Sequence, residues 1–337
     1  MASLDKIEPD AATAGKQPKT SFLRSKKFII GIAILIALIV IALAVGLGAG
    51  LSGNRGGNDL ENNPPQTGPD INRTTIWKPE VGTAWQIILR KPINLSADDG
   101  AVTPDTKVYD LDLFDNTADT FLKLHKAGIN VICYFSAGSW EDWREDAGKF
   151  DKADLGKELD GWPGEKWLNV SSPSVRDIMK ARIKLAASKG CMAIDPDNVD
   201  GYNNDNGLGL TSAQAADFVK FLASEAASYN MSTGLKNAAD IIDNVLNLVQ
   251  FSVNEQCIEL AECGSFARFI KAKKPVFNIE YPKDAPDGLT VQTVDEICSL
   301  KGNATGSDGF SKVIKKMNLD GWVQYCDGKK YTTSIIS

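Results

Sequence analysis

From residue 76 onward, short apolar runs alternate with stretches whose apolar residues recur at three- and four-residue spacing. The runs at 83–89, 108–113, 130–135, 167–170, 192–195, 232–235, 249–253 and 276–279 read as strands. Residues 118–127, 174–188, 212–229 and 259–272 read as amphipathic helices. A strand followed by a helix, repeated along the chain, predicts parallel strands joined by helical crossovers. Eight strands in the 262 residues from 76 to 337 suit an α/β fold of the (β/α)8 TIM-barrel type, which takes about 250 residues. A doubly wound open sheet is the alternative topology. No glycine fingerprint for a dinucleotide or a P-loop follows a strand, so a nucleotide crevice has no support.

The N-terminal pattern is different in kind. Phe28 to Leu51 is an uncharged apolar run of 24 residues, long enough as a helix to cross about 30 Å of hydrocarbon. A cleaved signal peptide would carry only about 7–15 apolar residues and a small-residue cleavage site. Six basic residues precede the run, and Arg55 is the only one just after it, so the basic side is expected to stay cytoplasmic. The predicted plan is a cytoplasmic tail (1–27), a single transmembrane signal anchor (28–51), a flexible Gly/Pro/Asn-rich stalk (52–75) and an external domain (76–337). This describes a single-pass type II protein of the plasma membrane.

Composition agrees with an external domain. Five N-x-S/T sequons, at Asn72, Asn94, Asn169, Asn230 and Asn303, all follow the apolar run, and their glycosylation requires a secretory compartment. All six cysteines follow it too, an even number that favours disulfides over metal ligation. Cys257 and Cys263 bracket a short loop and form the first expected bridge. The net charge is −6 for the whole chain and −9 beyond residue 27, with 31 basic and 40 acidic residues there. Such a surface favours cationic or neutral partners over nucleic acid, although moderate negative charge also serves solubility alone.

In a barrel of this type the chemistry sits at the C-terminal ends of the strands. Those ends carry Trp85 and Gln86, Asp110 and Asp112, Tyr134, Asp195, Asp197 and Asn198, Lys236 and Asn237, Glu255, and Glu280 and Tyr281. His125 is the only histidine and lies in a helical context on the outer ring, so a Ser-His-Asp or Cys-His arrangement has nothing to rest on. Zinc held by histidines is equally unsupported. In "DPDNVDGYNND" the EF-hand register fails, because Val199 and Asp200 stand where a ligand and the glycine belong. An ordinary solvated turn accounts for residues 200–207, but less well for Asp195 and Asp197, which end an apolar run.

Carboxylate chemistry remains, and glycoside hydrolysis needs two carboxyl groups at fixed separation. Asp197 and Glu255 are the expected catalytic pair, with Glu280 in reserve. The other strand-end residues are expected to bind substrate, since sugar rings stack on aromatics and offer hydroxyls to amides and acids. Trp77, Trp167 and Trp322 sit in apolar runs and read as core, while Trp140 and Trp143 lie in a polar loop and are the candidate platforms. No cofactor or metal is expected, and the domain is expected to be a monomer.

The segments "WKPEVGTAWQIIL", "VYDLDLFDN", "VICYFSAGSWEDWR", "CMAIDPDNVDGY", "GLKNA" and "FSVNEQC" together resemble glycoside hydrolase family 114, the endo-α-1,4-polygalactosaminidases, in its membrane-anchored fungal form. The likeness runs from about Trp77 to Cys326. It implies a (β/α)8 barrel that cleaves internal α-1,4 bonds in galactosamine-containing polymers such as galactosaminogalactan of the cell wall. It also implies that the family's aspartate falls on Asp197 and its glutamate on Glu255, with Tyr134, Asp195, Lys236 and Asn237 as subsite residues. By the same analogy Asp197 is the nucleophile and Glu255 the acid/base. An acidic rim would attract the ammonium groups of deacetylated galactosamine. The competing class is a catalytically silent surface protein that binds the polysaccharide on the same barrel.

Overall fold

The computed structural model describes residue 71, residues 73–95 and residues 101–336. The expected tail, the expected membrane span, most of the expected stalk and the sequon residue Asn72 lie outside the described residues. Among the described residues no helix is long and apolar enough to cross a membrane. Arg73 belongs to the folded domain: its guanidinium donates to the carbonyls of Tyr229, Cys191 and Ala187. The domain therefore begins a few residues before the boundary that composition suggested at 76.

Thirteen strands are present among the described residues, numbered in chain order. They are β1 (Trp85–Ile88), β2 (Val108–Asp112), β3 (Asn130–Ser136), β4 (Ser139–Glu141), β5 (Leu155–Leu159), β6 (Trp162–Leu168) and β7 (Ala193–Asp197). Then follow β8 (Ser232–Lys236), β9 (Phe251–Glu255), β10 (Val276–Glu280), β11 (Ser311–Ile314), β12 (Trp322–Tyr325) and β13 (Lys330–Thr332). The principal sheet runs β1-β2-β3-β7-β8-β9-β10-β11-β12-β13. Its first eight strands are parallel, and the last two are antiparallel.

The sheet curls so that β1 comes back against β11 and β12. Trp85 Nε1 donates to the Ser311 carbonyl at 2.9 Å, Lys315 Nζ to Gln86 Oε1 at 2.9 Å, and the Tyr325 hydroxyl to the Trp85 carbonyl at 2.7 Å. This curled α/β sheet fits a TIM-type barrel. One expected strand does not belong to it. Residues 167–170 overlap β6, which joins β4 and β5 in a separate antiparallel three-stranded sheet. The eighth parallel strand is instead β11, whose sequence SKVI carries a lysine and offers too little apolar pattern to stand out.

Helices α1 (Ala118–Lys126), α2 (Pro173–Lys189) and α3 (Ser212–Ser228) form where apolar residues recur on one side. Thr117 and Thr211 cap α1 and α3, the second in a full capping box with Gln214. Among the described residues there follow α4 (Ile242–Val245), α5 (Cys263–Lys271) and α6 (Val291–Cys298).

Successive strand residues face opposite sides of a sheet, and that parity sorts the core into two clusters. Ile88, Leu111, Val131, Phe135, Ile194 and Val276 pack outward beneath the helices. Trp85, Val108, Ile132, Ala193, Phe251 and Phe277 fill the inside of the curl. Gly234 is required by this inner packing, since a Cβ there would lie 2.4 Å from the Phe251 ring. Disulfides Cys133–Cys191, Cys257–Cys263 and Cys298–Cys326 tie the connections, and the second is the bridge expected from spacing.

Candidate active site

The inner face changes character along each strand. Asp110 and Asp112 follow Val108 at the same parity, Tyr134 and Ser136 follow Ile132, and Asp195 and Asp197 follow Ala193. Lys236 follows Gly234, and Glu255 follows Val253. Apolar side chains thus fill the N-terminal half of the interior, and polar ones collect at the C-terminal ends of β2, β3, β7, β8 and β9.

The centre of this cluster is Lys236. Its ammonium lies 3.3 Å from Asp197 Oδ1 and 3.6 Å from Glu255 Oε2, and 5.3 Å from the centre of the Tyr134 ring. Each carboxylate has its own phenol: Tyr134 donates to Asp197 Oδ2 at 2.9 Å, and Tyr281 to Glu255 Oε1 at 2.6 Å. Each also leans on an asparagine. The Asn198 backbone N–H donates to Asp197 Oδ1 at 2.8 Å, and Asn237 Nδ2 donates to Glu255 Oε2 at 3.1 Å. Both asparagines are left-handed, with φ of 60° and 47°, a region this residue type enters more readily than most.

The electrostatics follow from burial set against charge. Burial pushes the Glu255 carboxyl up, but Lys236, Tyr281 and Asn237 outweigh it and hold Glu255 below its ordinary range. For Lys236 burial acts downward, yet Asp197, Glu255, Asp195 and Asp110 raise it well above the usual lysine value. Burial first, then the neighbouring carboxylates, lift Tyr134 and Tyr281 well above the ordinary phenol range, so both remain donors.

Below this layer sits a second acidic pair. Asp110 and Asp195 are fully buried, and no hydroxyl, amide or ammonium donor reaches any of their four oxygens. Each carboxyl is the other's electrostatic neighbour, and burial raises both above the ordinary carboxylate range. Burial pushes Asp195 up to about 7 against the pull of Lys236. It also drives Asp110 well above the carboxylate range, with Asp195 adding to the effect.

Not every expected site residue joins the cluster. Trp85 is wholly inside the curl, its ring 4.9 Å from that of Phe277, and it is core rather than a sugar platform. Gln86 and Glu280 have the outward parity, so they point away from the interior. Gln86 donates to the Gly321 carbonyl and accepts from Lys315. Glu280 accepts from the backbone N–H groups of Ile258 and Glu259 and from Asn278, which fixes the turn after β9. Asp112 has the inward parity but is engaged by Arg144 at 2.7 Å and by the N–H groups of Phe114 and Asp115.

The remaining candidates lie outside the centre. Trp143 is 53% exposed, whereas Trp140 is half-buried and donates to the Ala147 carbonyl. Trp167 and Trp322 are buried. A ring nitrogen of His125 bonds the Gly190 carbonyl, away from the acids. Asn94, Asn230 and Asn303 are exposed; Asn169 is half-buried with its amide on Asp154.

The separate sheet supplies groups that pattern reading passed over. Glu165 on β6 is buried, and burial first, then Glu141 and Asp197, push it up to about 8. Ser139 Oγ donates to its Oε2 at 2.8 Å. The available signal is a charged residue at the same parity as Trp167 in WPGEKWL, but the apolar pattern starts only at 167.

The sequence model of glycoside-hydrolase family GH114 matches residues 67–331. This chain belongs to glycoside-hydrolase family GH114. The GH114 domain is 51% identical to Ega3 of Aspergillus fumigatus, whose crystal structure is a complex with galactosamine. That alignment covers 75% of this chain and 98% of Ega3, with a TM-score of 0.69. The glycoside hydrolase domain of PelA from Pseudomonas aeruginosa is 13% identical over 70% of this chain and 95% of its own, with a TM-score of 0.52, a likeness of fold alone. Among curated proteins none matched.

Proposed function

We propose that this GH114 chain is an endo-acting glycoside hydrolase that cleaves α-1,4-galactosaminidic bonds in galactosamine-containing polysaccharide, with Asp197 and Glu255 as its working carboxyl groups on a (β/α)8 barrel. The observation that carries this reading is the pair itself: two partly exposed carboxylates at the ends of β7 and β9, gripped by one buried ammonium from β8, the parallel strand between them. Because both oxygens touch the same nitrogen, they lie at most about 7 Å apart. That limit admits the roughly 5 Å of retaining enzymes and reaches only the low edge of the inverting range.

The chemistry drawn from this geometry is a double displacement. Asp197, oriented by Tyr134 and the Asn198 N–H, attacks the anomeric carbon, while Glu255 protonates the departing oxygen. Water then releases the sugar from Asp197 as Glu255 takes its proton back. Since Lys236, Tyr281 and Asn237 hold Glu255 ionised in this structure, Glu255 takes up its proton as Lys236 shifts toward Asp197, the nearer of its two partners. Acidic medium therefore favours turnover. The partly open carboxyl groups of Asp197 and Glu255 suit a polymer of ammonium-bearing sugars.

The test is product release from deacetylated galactosaminogalactan by the full-length chain beside Asp197→Asn and Glu255→Gln. Wild type is expected to yield short oligosaccharides first released in the α configuration, and both folded variants to lose about three orders of magnitude or more. If all three bind the polymer and none cuts it, the silent-receptor reading replaces this one.

The type II anchor at 28–51, the stalk and the glycans at exposed sequons are part of the same proposal, supported by sequence pattern. The chain then acts at the outer face of the plasma membrane, on polysaccharide of the cell wall, as a monomer. Extraction of cell membranes at alkaline pH decides the anchor: recovery of the chain in the soluble fraction rejects it.

A further inference from the structure

The turn between β3 and β4 and the end of β7 are locked together through the main chain of Asp197 and the side chain of Asn198. The backbone N–H groups of Ala137 and Gly138 both donate to the Asp197 carbonyl, at 2.9 and 3.0 Å. Gly138 is needed for this approach, because a Cβ there would fall 1.9 Å from the Asn198 carbonyl oxygen. Above that contact the Asn198 side chain donates to Ser136 Oγ at 2.9 Å and to Ser139 Oγ at 3.1 Å. Ser139 Oγ donates to Glu165 Oε2 at 2.8 Å.

Counting protons fixes the direction of this chain of bonds. A serine hydroxyl has one proton and two lone pairs. Ser139 spends its proton on Glu165, so in the 2.5 Å contact between the two hydroxyls Ser136 is the donor. Ser139 then accepts from Ser136 and Asn198, and Ser136 accepts from Asn198 and from the Ser139 N–H at 3.2 Å. Every proton and lone pair of the two hydroxyls is used, and the sequence of donors ends on one acceptor, the Glu165 carboxyl. At its other end is Asn198, left-handed at φ 60°, whose N–H holds Asp197.

We propose that Glu165, supplied by the separate three-stranded sheet, is a positioning residue for Asp197, acting through Ser139, Ser136 and Asn198. Without the terminal acceptor, the Ser139 proton turns toward Ser136 or Asn198. The amide then loses its grip, and the strained Asn198 backbone relaxes away from Asp197. This gives the three-stranded sheet a role in the reaction: it aims the carboxylate that attacks. What matters is the acceptor rather than the charge, in keeping with a carboxyl whose surroundings push it up to about 8.

The inference rests on Asp197 being a working carboxylate, and the experiment separates the two. Full-length wild type, Glu165→Ala, Glu165→Gln, Ser139→Ala and the Glu165→Ala/Ser139→Ala double variant are assayed on deacetylated galactosaminogalactan, with Asp197→Asn alongside and the Tm of each recorded. Glu165→Ala is expected to lower kcat by about tenfold to a hundredfold with KM within about twofold, as small misplacements of a reacting group do. Ser139→Ala should match it, and the double variant should be no worse than either, because one chain of bonds is cut twice. Glu165→Gln keeps an acceptor oxygen and should restore most of kcat.

Additive losses, an unchanged kcat in Glu165→Ala, or a Glu165→Gln as poor as Glu165→Ala each overturn the proposal. Should Glu165→Ala fail to fold, Ser139→Ala removes a single hydroxyl and its kcat decides. An active Asp197→Asn would instead defeat the choice of catalytic pair.

Discussion

Two pairs of acids stand one above the other in this molecule, and their surroundings differ completely. Asp197 and Glu255 are partly open, and each is supplied with a phenol, an asparagine donor and a share of the Lys236 ammonium. Asp110 and Asp195 are fully buried and have only each other. A carboxylate given several donors stays ionised, while one deprived of them keeps a proton. In the proposed mechanism the difference separates the carboxyl groups that react from those held beneath them. Burial raises the lower pair above the carboxylate range, which lessens the negative charge set against Lys236.

Lys236→Met breaks the comparison most severely. It removes the cation that both upper carboxylates share and that also draws the lower pair toward ionisation. We expect kcat to fall by about a hundredfold or more, the scale of losing a preorganised charge at a reacting centre. Direction matters as much as size. Without Lys236, Glu255 holds its proton more tightly, so the alkaline limb of the pH–rate profile moves to higher pH. A profile that loses height but does not move would mean that Glu255 is not the acid.

Asp195→Asn sharpens the same contrast from below. The Asp195 carboxyl is pushed up to about 7, above its unfolded value near 3.8. The folded protein therefore keeps a proton that the unfolded chain releases between those values, and wild-type stability falls as pH rises through that window. The amide cannot ionise and escapes this loss. Relative to wild type, the Tm of Asp195→Asn should climb by about 3 °C per pH unit from pH 4 to 7 and level off above. Parallel Tm curves for the two proteins would show that no proton is held there.

Much of this arrangement was legible in the chain, for a physical reason. Parallel strands buried on both sides read as apolar runs, and an acid that ends such a run is conspicuous, which is how Asp195, Asp197 and Glu255 stood out. Parity was the information left unused. Gln86 and Glu280 sit one residue out of step with the inner face, and they turn away from the interior, to the Gly321 carbonyl and the Ile258 N–H. Trp85 has the inner parity yet lies at the start of its strand, where the interior is packed. Glu165 and Ser139 were invisible because their part depends on a separate sheet folding back over β7, a contact between segments about 30 to 60 residues apart that no local pattern encodes.

Glu280→Gln is the smallest expected effect and the cleanest check on the parity argument. If Glu280 faced the sugar, as its place at a strand end suggests, the amide would abolish one of the acidic contacts and cost activity on the scale of Asp197 or Glu255. In the structure its two oxygens accept from the Ile258 and Glu259 N–H groups at 3.0 and 3.4 Å and from Asn278 at 3.1 Å. Glutamine retains one acceptor oxygen and turns the other into a donor aimed at a backbone N–H. The turn that carries the Cys257–Cys263 bridge then loses the bond from the Glu259 N–H, a part-buried contact worth about 1 kcal/mol. The Tm should drop by a few degrees while kcat, measured below the new Tm, stays within about twofold of wild type. A large loss of kcat without loss of Tm would put Glu280 on the reacting side of the sheet and dissolve the distinction between acids that meet substrate and acids that hold the chain.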